Sequence, residues 1–146
     1  MDSDASGGTP DLDLAVPVVT DADVLCRVDC LLDHASRSRR SLWLLFLSGE
    51  GMQLPAVVPI DDVPDHPEPQ LVSNLCGVIS DVLDDVAPGG SAVVALTRPG
   101  EETVSGDDRC WFHALYDAAR ERGTPLRMLC LATRAAVRQL TLDDAL

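Results

Sequence analysis

Between Pro69 and Ala87 the apolar residues Leu71, Leu75, Val78, Ile79, Val82, Leu83 and Val86 recur at the 3.6-residue period of a helix. On either side lie short, unbroken apolar runs, Leu42–Leu47 before it and Ala92–Leu96 after it. Runs of that length, with no polar alternation, suit strands buried on both faces. A helix set between two such strands leaves few alternatives to an α/β fold, because each apolar face needs another layer to cover it.

The remaining segments extend the pattern. Thr20-Asp21-Ala22-Asp23 reads as a capping box opening a helix to about Ala35, with the apolar stripe Val24, Leu25, Val28, Leu31, Leu32 and Ala35. After a polar linker, Ser36 to Arg40, the strand Leu42–Leu47 meets a Gly49-Glu50-Gly51 turn and returns as Met52 to Ile60. Pro55 and Pro59 place the return strand at an edge or a bulge. Pro69 sits in the first turn of the long helix, and Pro88-Gly89-Gly90 stops it. Ser105-Gly106-Asp107-Asp108 caps a further helix running to Arg122, with Trp111, Leu115, Ala118 and Ala119 inward and Gly123 as its stop. Leu126–Ala132 is another buried strand and Val137–Leu140 a short last one. The expected class is therefore α/β, a mixed sheet formed by a β-hairpin and then α-β-α-β, flanked by helices and preceded by one N-terminal helix. Residues 1–19 read as a disordered acidic tail and residues 20–146 as one domain, the apolar patch Leu14–Val19 notwithstanding.

The chain has 146 residues and a formal net charge of −13, with eleven basic residues, all arginine, against twenty-four acidic ones. A field of that sign repels phosphate backbones, so nucleic acid and anionic membrane surfaces are not expected as partners, whereas a cationic protein surface would be steered in. No apolar run reaches the roughly 18 residues of a membrane span. The start of the chain lacks a basic segment followed by an apolar one, which points to a cytoplasmic protein. Five cysteines, an odd number, are then expected as free thiols.

Three groups of residues invite chemistry. At 100° per residue Cys26, Cys30 and His34 line up on the first helix away from its apolar stripe, as a zinc or redox site would need, although burial of the thiols by a covering partner is the plainer expectation. Cys110 and His113 lie three apart near a helix start, where the dipole lowers a thiol pKa, but no orienting acid accompanies them. Arg37, Arg39 and Arg40 form the only basic cluster, read here as a solvated linker. No glycine-rich phosphate loop is present.

The order of parts over about Leu42 to Leu140 resembles the JAB/MPN metallo-hydrolase-like domain, in particular its bacterial RadC-like branch. That family places His-x-His-Pro at a strand end and Ser-x-x-Asp at the next helix start, with a glutamate from the hairpin. Its zinc sits between the histidines and the aspartate, and the glutamate serves as general base. Here Leu96-Thr97-Arg98-Pro99 and Ser105-Gly106-Asp107-Asp108 stand at those places, with a loop one residue shorter. Leu96 offers no ligand, Arg98 carries a permanent positive charge, and Gln53 and Glu50 are poor stand-ins for the base. The resemblance thus implies a degenerate site at Leu96, Arg98, Ser105 and Asp108, without metal or other cofactor, on a pseudoenzyme that acts by binding a protein partner or a second copy. A metal-dependent hydrolase using Asp108 with His66 or His113 is the alternative in the enzyme class, and a thiol- or zinc-responsive protein is a third reading.

Overall fold

The computed structural model describes residues 16–141. Three α-helices and five strands follow one another as α1 (Asp21–Leu31), β1 (Ser41–Leu47), β2 (Gln53–Asp61), α2 (Pro69–Val86), β3 (Ser91–Thr97), α3 (Gly106–Arg122), β4 (Leu126–Ala132) and β5 (Val137–Leu140). The strands form one sheet in the order β2-β1-β3-β4-β5. Only β3 and β4 run parallel, joined by the α3 crossover, and every other neighbouring pair is antiparallel. The mixed sheet and its flanking helices are those expected from the sequence.

The helix ends follow local chemistry. The Thr20 hydroxyl accepts from the Asp23 amide at 3.0 Å while the Asp23 carboxylate accepts from the Thr20 amide at 3.0 Å and the Val19 amide at 3.1 Å. Those backbone hydrogen bonds lower the Asp23 pKa. At the other end α1 stops at Leu31 rather than at Ala35. Leu32 leaves the helical conformation, and the Asp33 carboxylate accepts from both the amide and the hydroxyl of Ser36 at 2.8 Å. A side chain that satisfies the backbone locally competes with helix continuation. Ala35 is accordingly exposed in the connection, and the buried stripe of α1 reduces to Val24 and Val28 together with Leu32.

Alternation along the strands divides the core in two. Leu42, Leu44 and Phe46 of β1, Val94 and Leu96 of β3 and Leu129 and Leu131 of β4 pack under α2 and α3. Leu45 and Leu47, Val93 and Ala95, Met128 and Cys130 face α1. The result is a three-layer α/β/α arrangement, which explains why these strands read as unbroken apolar runs. Strand β2 lies at one edge, as Pro55 and Pro59 require, since proline brings no N–H to a ladder. Trp111 of α3, fully buried, donates its indole N–H to the carbonyls of Pro64 and Asp65 and so ties the 62–68 connection to the α2 and α3 side of the sheet.

Two expectations need correction. Val18, assigned to the tail, is buried against the α1 layer, and its amide donates to the Gly51 carbonyl at 2.8 Å. The folded unit therefore begins before residue 20, while residues 1–15 of the expected tail lie outside the described residues. Arg37 is not a solvated linker residue. Only 3% exposed, it donates to the carbonyls of Leu32 (2.9 Å), Asp29 (2.9 Å) and Thr133 (3.2 Å) and to the Asp29 carboxylate (2.8 Å). It thereby satisfies carbonyls left without partners at the end of α1 and pins that end to the β4–β5 turn. No helix among the described residues is long and apolar enough to cross a membrane.

Candidate functional site

Strand β3 delivers Arg98 to the mouth of the loop that leads to α3. Its last residue, Thr97, is held by a 2.6 Å hydrogen bond to the Ser41 hydroxyl and donates to the Arg39 carbonyl at 2.8 Å, so the strand end is fixed on its neighbour. Across the loop, Ser105 is the N-cap of α3 and Asp108 its third helical residue. The Ser105 hydroxyl accepts from the Asp108 amide at 3.2 Å, and the Asp108 carboxylate accepts from the Ser105 amide at 2.9 Å.

The same carboxylate is gripped by the Arg98 guanidinium. Nε donates to Oδ1 at 2.9 Å and Oδ2 at 3.1 Å, and Nη2 to Oδ2 at 2.7 Å. Arg98 also donates from Nη1 to the Pro99 carbonyl at 3.0 Å and from Nη2 to the Thr103 carbonyl at 2.8 Å. Asp108 is wholly buried and Arg98 nearly so. Burial pushes the Asp108 carboxyl up, but the hydrogen bonds from Arg98 and from the Ser105 amide, with the Arg98 charge, outweigh it and hold its pKa below the ordinary value. Asp108 is therefore a buried, hydrogen-bonded anion whose counter-charge is a planar, always-protonated fork.

Of the four residues expected at the degenerate site, Arg98, Ser105 and Asp108 come together, while Leu96 is buried in the apolar layer beneath α2 and α3. The candidate bases are elsewhere. Gln53 faces the α1 side of the sheet, where its side chain accepts from Arg27 at 2.7 Å, and Glu50 is exposed in the hairpin turn. His66 pairs with Asp107 at 3.3 Å, one residue before Asp108 and at the surface, and His113 is exposed on α3. Neither joins the Arg98–Asp108 pair.

The helical alignment of Cys26, Cys30 and His34 does not form, because α1 ends before His34. His34 instead borders an open cleft with Glu101, Glu102 and Arg134. Within the single chain both thiols are exposed, with no neighbouring segment among the described residues covering them. Slight burial, followed by the neighbouring Cys26, raises the Cys30 pKa, which opposes thiolate formation. Among the described residues no group of three or more His, Cys, Asp or Glu side chains is arranged to hold a metal ion. Cys110 is exposed on α3, as is His113, whose ring meets Phe112 edge-on at 6.1 Å.

Sequence reasoning missed the clasp made by Arg37, and its signal was slight: an arginine following a helix end, where carbonyls lack partners. It also missed Arg40, whose Nε pairs with Asp65 at 3.0 Å. No family model matches this chain, and a comparison with curated proteins finds no significant sequence similarity.

Proposed function

We propose that the chain is a non-catalytic protein-interaction or regulatory module on a degenerate JAB/MPN-like scaffold. The observation that carries this reading is the state of Asp108. The one acid that the resemblance would give to zinc is already paired with a buried guanidinium and accepts a backbone amide. A divalent cation at that position would have to displace a buried positive charge and would find no imidazole to replace it. On that resemblance the order of elements is a hydrolase's while the two histidines and the glutamate that would activate water are replaced, which supports a role carried by the surface of the fold.

The test has two arms. In the first, the purified chain is equilibrated with zinc and its metal content measured. The expected result is no stoichiometric zinc in the native protein. One zinc per native chain that disappears in Asp108→Ala would overturn the reading. In the second, chemical cross-linking of the native protein in its source cells is expected to join it to one protein at constant stoichiometry.

A further inference from the structure

Helix α2 turns Ser73 and Ser80 toward the α3 side, where the Ser73 hydroxyl accepts from Arg122 at 3.1 Å and the Ser80 hydroxyl bonds the Thr124 hydroxyl at 2.8 Å. At about 100° per residue, Leu71, Val78, Val82 and Val86 lie roughly half a turn round from those serines, facing away from α3. In a sheet ordered β2-β1-β3-β4-β5, with α3 crossing between β3 and β4, the flank of α2 away from α3 is the flank toward β2. There the edge strand presents Val58 and Ile60 on the α2 face, because they sit opposite Leu44 and Leu42, which belong to that layer. Leu44 and Leu42 are each 1% exposed, whereas Val58 is 39% exposed, Val78 53% and Val86 58%. Ile60 is only partly covered against this core layer and Val58 is exposed, so an apolar ledge remains between α2 and the edge strand β2.

We propose that this ledge docks an amphipathic helix of a partner protein whose apolar stripe is flanked by basic residues; the proposal rests on the reading of the chain as an interaction module and names its partner's chemistry. Charge selects the occupant. The exposed carboxylates Asp81 and Asp85 border the α2 side of the stripe, and exposed Asp61 ends β2 with exposed Asp62 directly after it. A second copy of a chain with net charge −13 would bring the same acids against these, which like-charge repulsion opposes. Pro55 and Pro59 also make β2 a poor template for strand addition, so side-chain packing is the mode the ledge supports. Such a helix would lay its apolar residues across Val58, Val78, Val82 and Val86 and set its cations over the aspartates.

The probe is a synthetic helical peptide about as long as α2, with a leucine stripe flanked by lysine and arginine. One control has the same composition scrambled to break the stripe, and another has the flanks changed to glutamate. With the full chain, the basic striped peptide is expected to bind, to shift the methyl resonances of Val58, Val78, Val82 and Val86, and to weaken as salt is raised. Val78→Gln and Val58→Gln, both at exposed positions and both charge-neutral, should each weaken it about tenfold, with folding checked by circular dichroism. Asp81→Asn with Asp85→Asn should flatten the salt dependence. Equal binding of either control, shifts confined to another face, unchanged affinity in both glutamine variants, or a dimer with these valines at its interface would overturn the proposal. Failure here is separable from failure of the broader reading. A cross-linked partner mapped to a different face removes the ledge alone, whereas a zinc-dependent hydrolase activity abolished by Asp108→Ala removes the interaction module itself.

Discussion

Asp108 shows how little room a buried charge leaves for a second role. Its carboxylate is stabilised by Arg98 and the Ser105 amide, and removal of one partner leaves the other stranded in the interior. Arg98→Ala should therefore destabilise the fold by about 3–5 kcal/mol, and Arg98→Met combined with Asp108→Leu should recover much of that loss, as read by denaturant titration. A recovery no larger than the noise would show that the pair does more than neutralise itself. The pH dependence has a definite sign. Because the folded pKa lies below the ordinary 3.8, the pair's contribution is fully present above that value and is lost as pH falls through the folded pKa. Stability of the native chain should thus fall on the acid side of 3.8 more steeply than that of Asp108→Asn. The cysteines divide by burial in the same way. Cys26, Cys30 and Cys110 are exposed, Cys76 is buried, and the Cys130 thiol, buried in the sheet, is pushed up to about 12. A thiol reagent at neutral pH should modify three of the five in the native protein and the remaining two only on unfolding. Rapid loss of all five without unfolding would contradict the packing of β4 and α2.

Among the elements, α1 depends most on contacts that its own sequence does not announce. It buries only Val24 and Val28 along its length, and it is anchored at one end by its capping box and at the other by Arg37. Arg37→Ala should cost about 2 kcal/mol, because carbonyls at the α1 end lose their donors inside the protein. Amide hydrogen exchange would show it as faster opening of α1 with little change in α2. Uniform acceleration across the molecule would mean that α1 does not open on its own. The α2–β3 junction is constrained differently. A Cβ on Gly90 would run into the carbonyl oxygens of Leu47 and Ala87, so the residue is fixed by the close approach of two backbones. Helix α3 ends on Gly123 in the left-handed conformation, with φ of 68°, and this was the end most plainly written in the chain.

At the scale of the whole molecule, the N-terminal segment closes the α1 layer. Val18 is buried in that layer, the Val16 carbonyl accepts from Arg27 at 3.1 Å, and Arg127 of β4 reaches both Asp21 and the Val19 carbonyl. Relative to a chain truncated up to residue 15, extending the deletion through Val19 should lower stability by about 2 kcal/mol, the value of one buried valine. Equal stability of the two truncations would show that Val18 contributes nothing to the fold. The net charge acts over the same scale. With −13 on a chain of 146 residues, approach of a cationic partner should be accelerated at low salt and slowed by screening.

The sequence by itself determined the elements. Hydrophobic period marks a helix or a strand wherever one face is buried, and caps, prolines and glycines close each segment, so β1, α2, β3, α3, β4 and β5 were legible as strings of residues. The Ser105–Asp108 cap was legible for the same reason, being a contact between residues three apart. Only the tertiary structure decided what Arg98 and Arg37 do. An arginine in a loop has the same local signature whether it is solvated or buried. Its role depends on which carboxylate or carbonyl the fold brings opposite it, and Arg98 to Asp108 or Arg37 to Thr133 are pairings across ten and ninety-six residues. The exposure of Val58 and Val78 was likewise invisible in the pattern. Both fit an apolar face, and whether a neighbour covers that face depends on how far two helices reach across five strands.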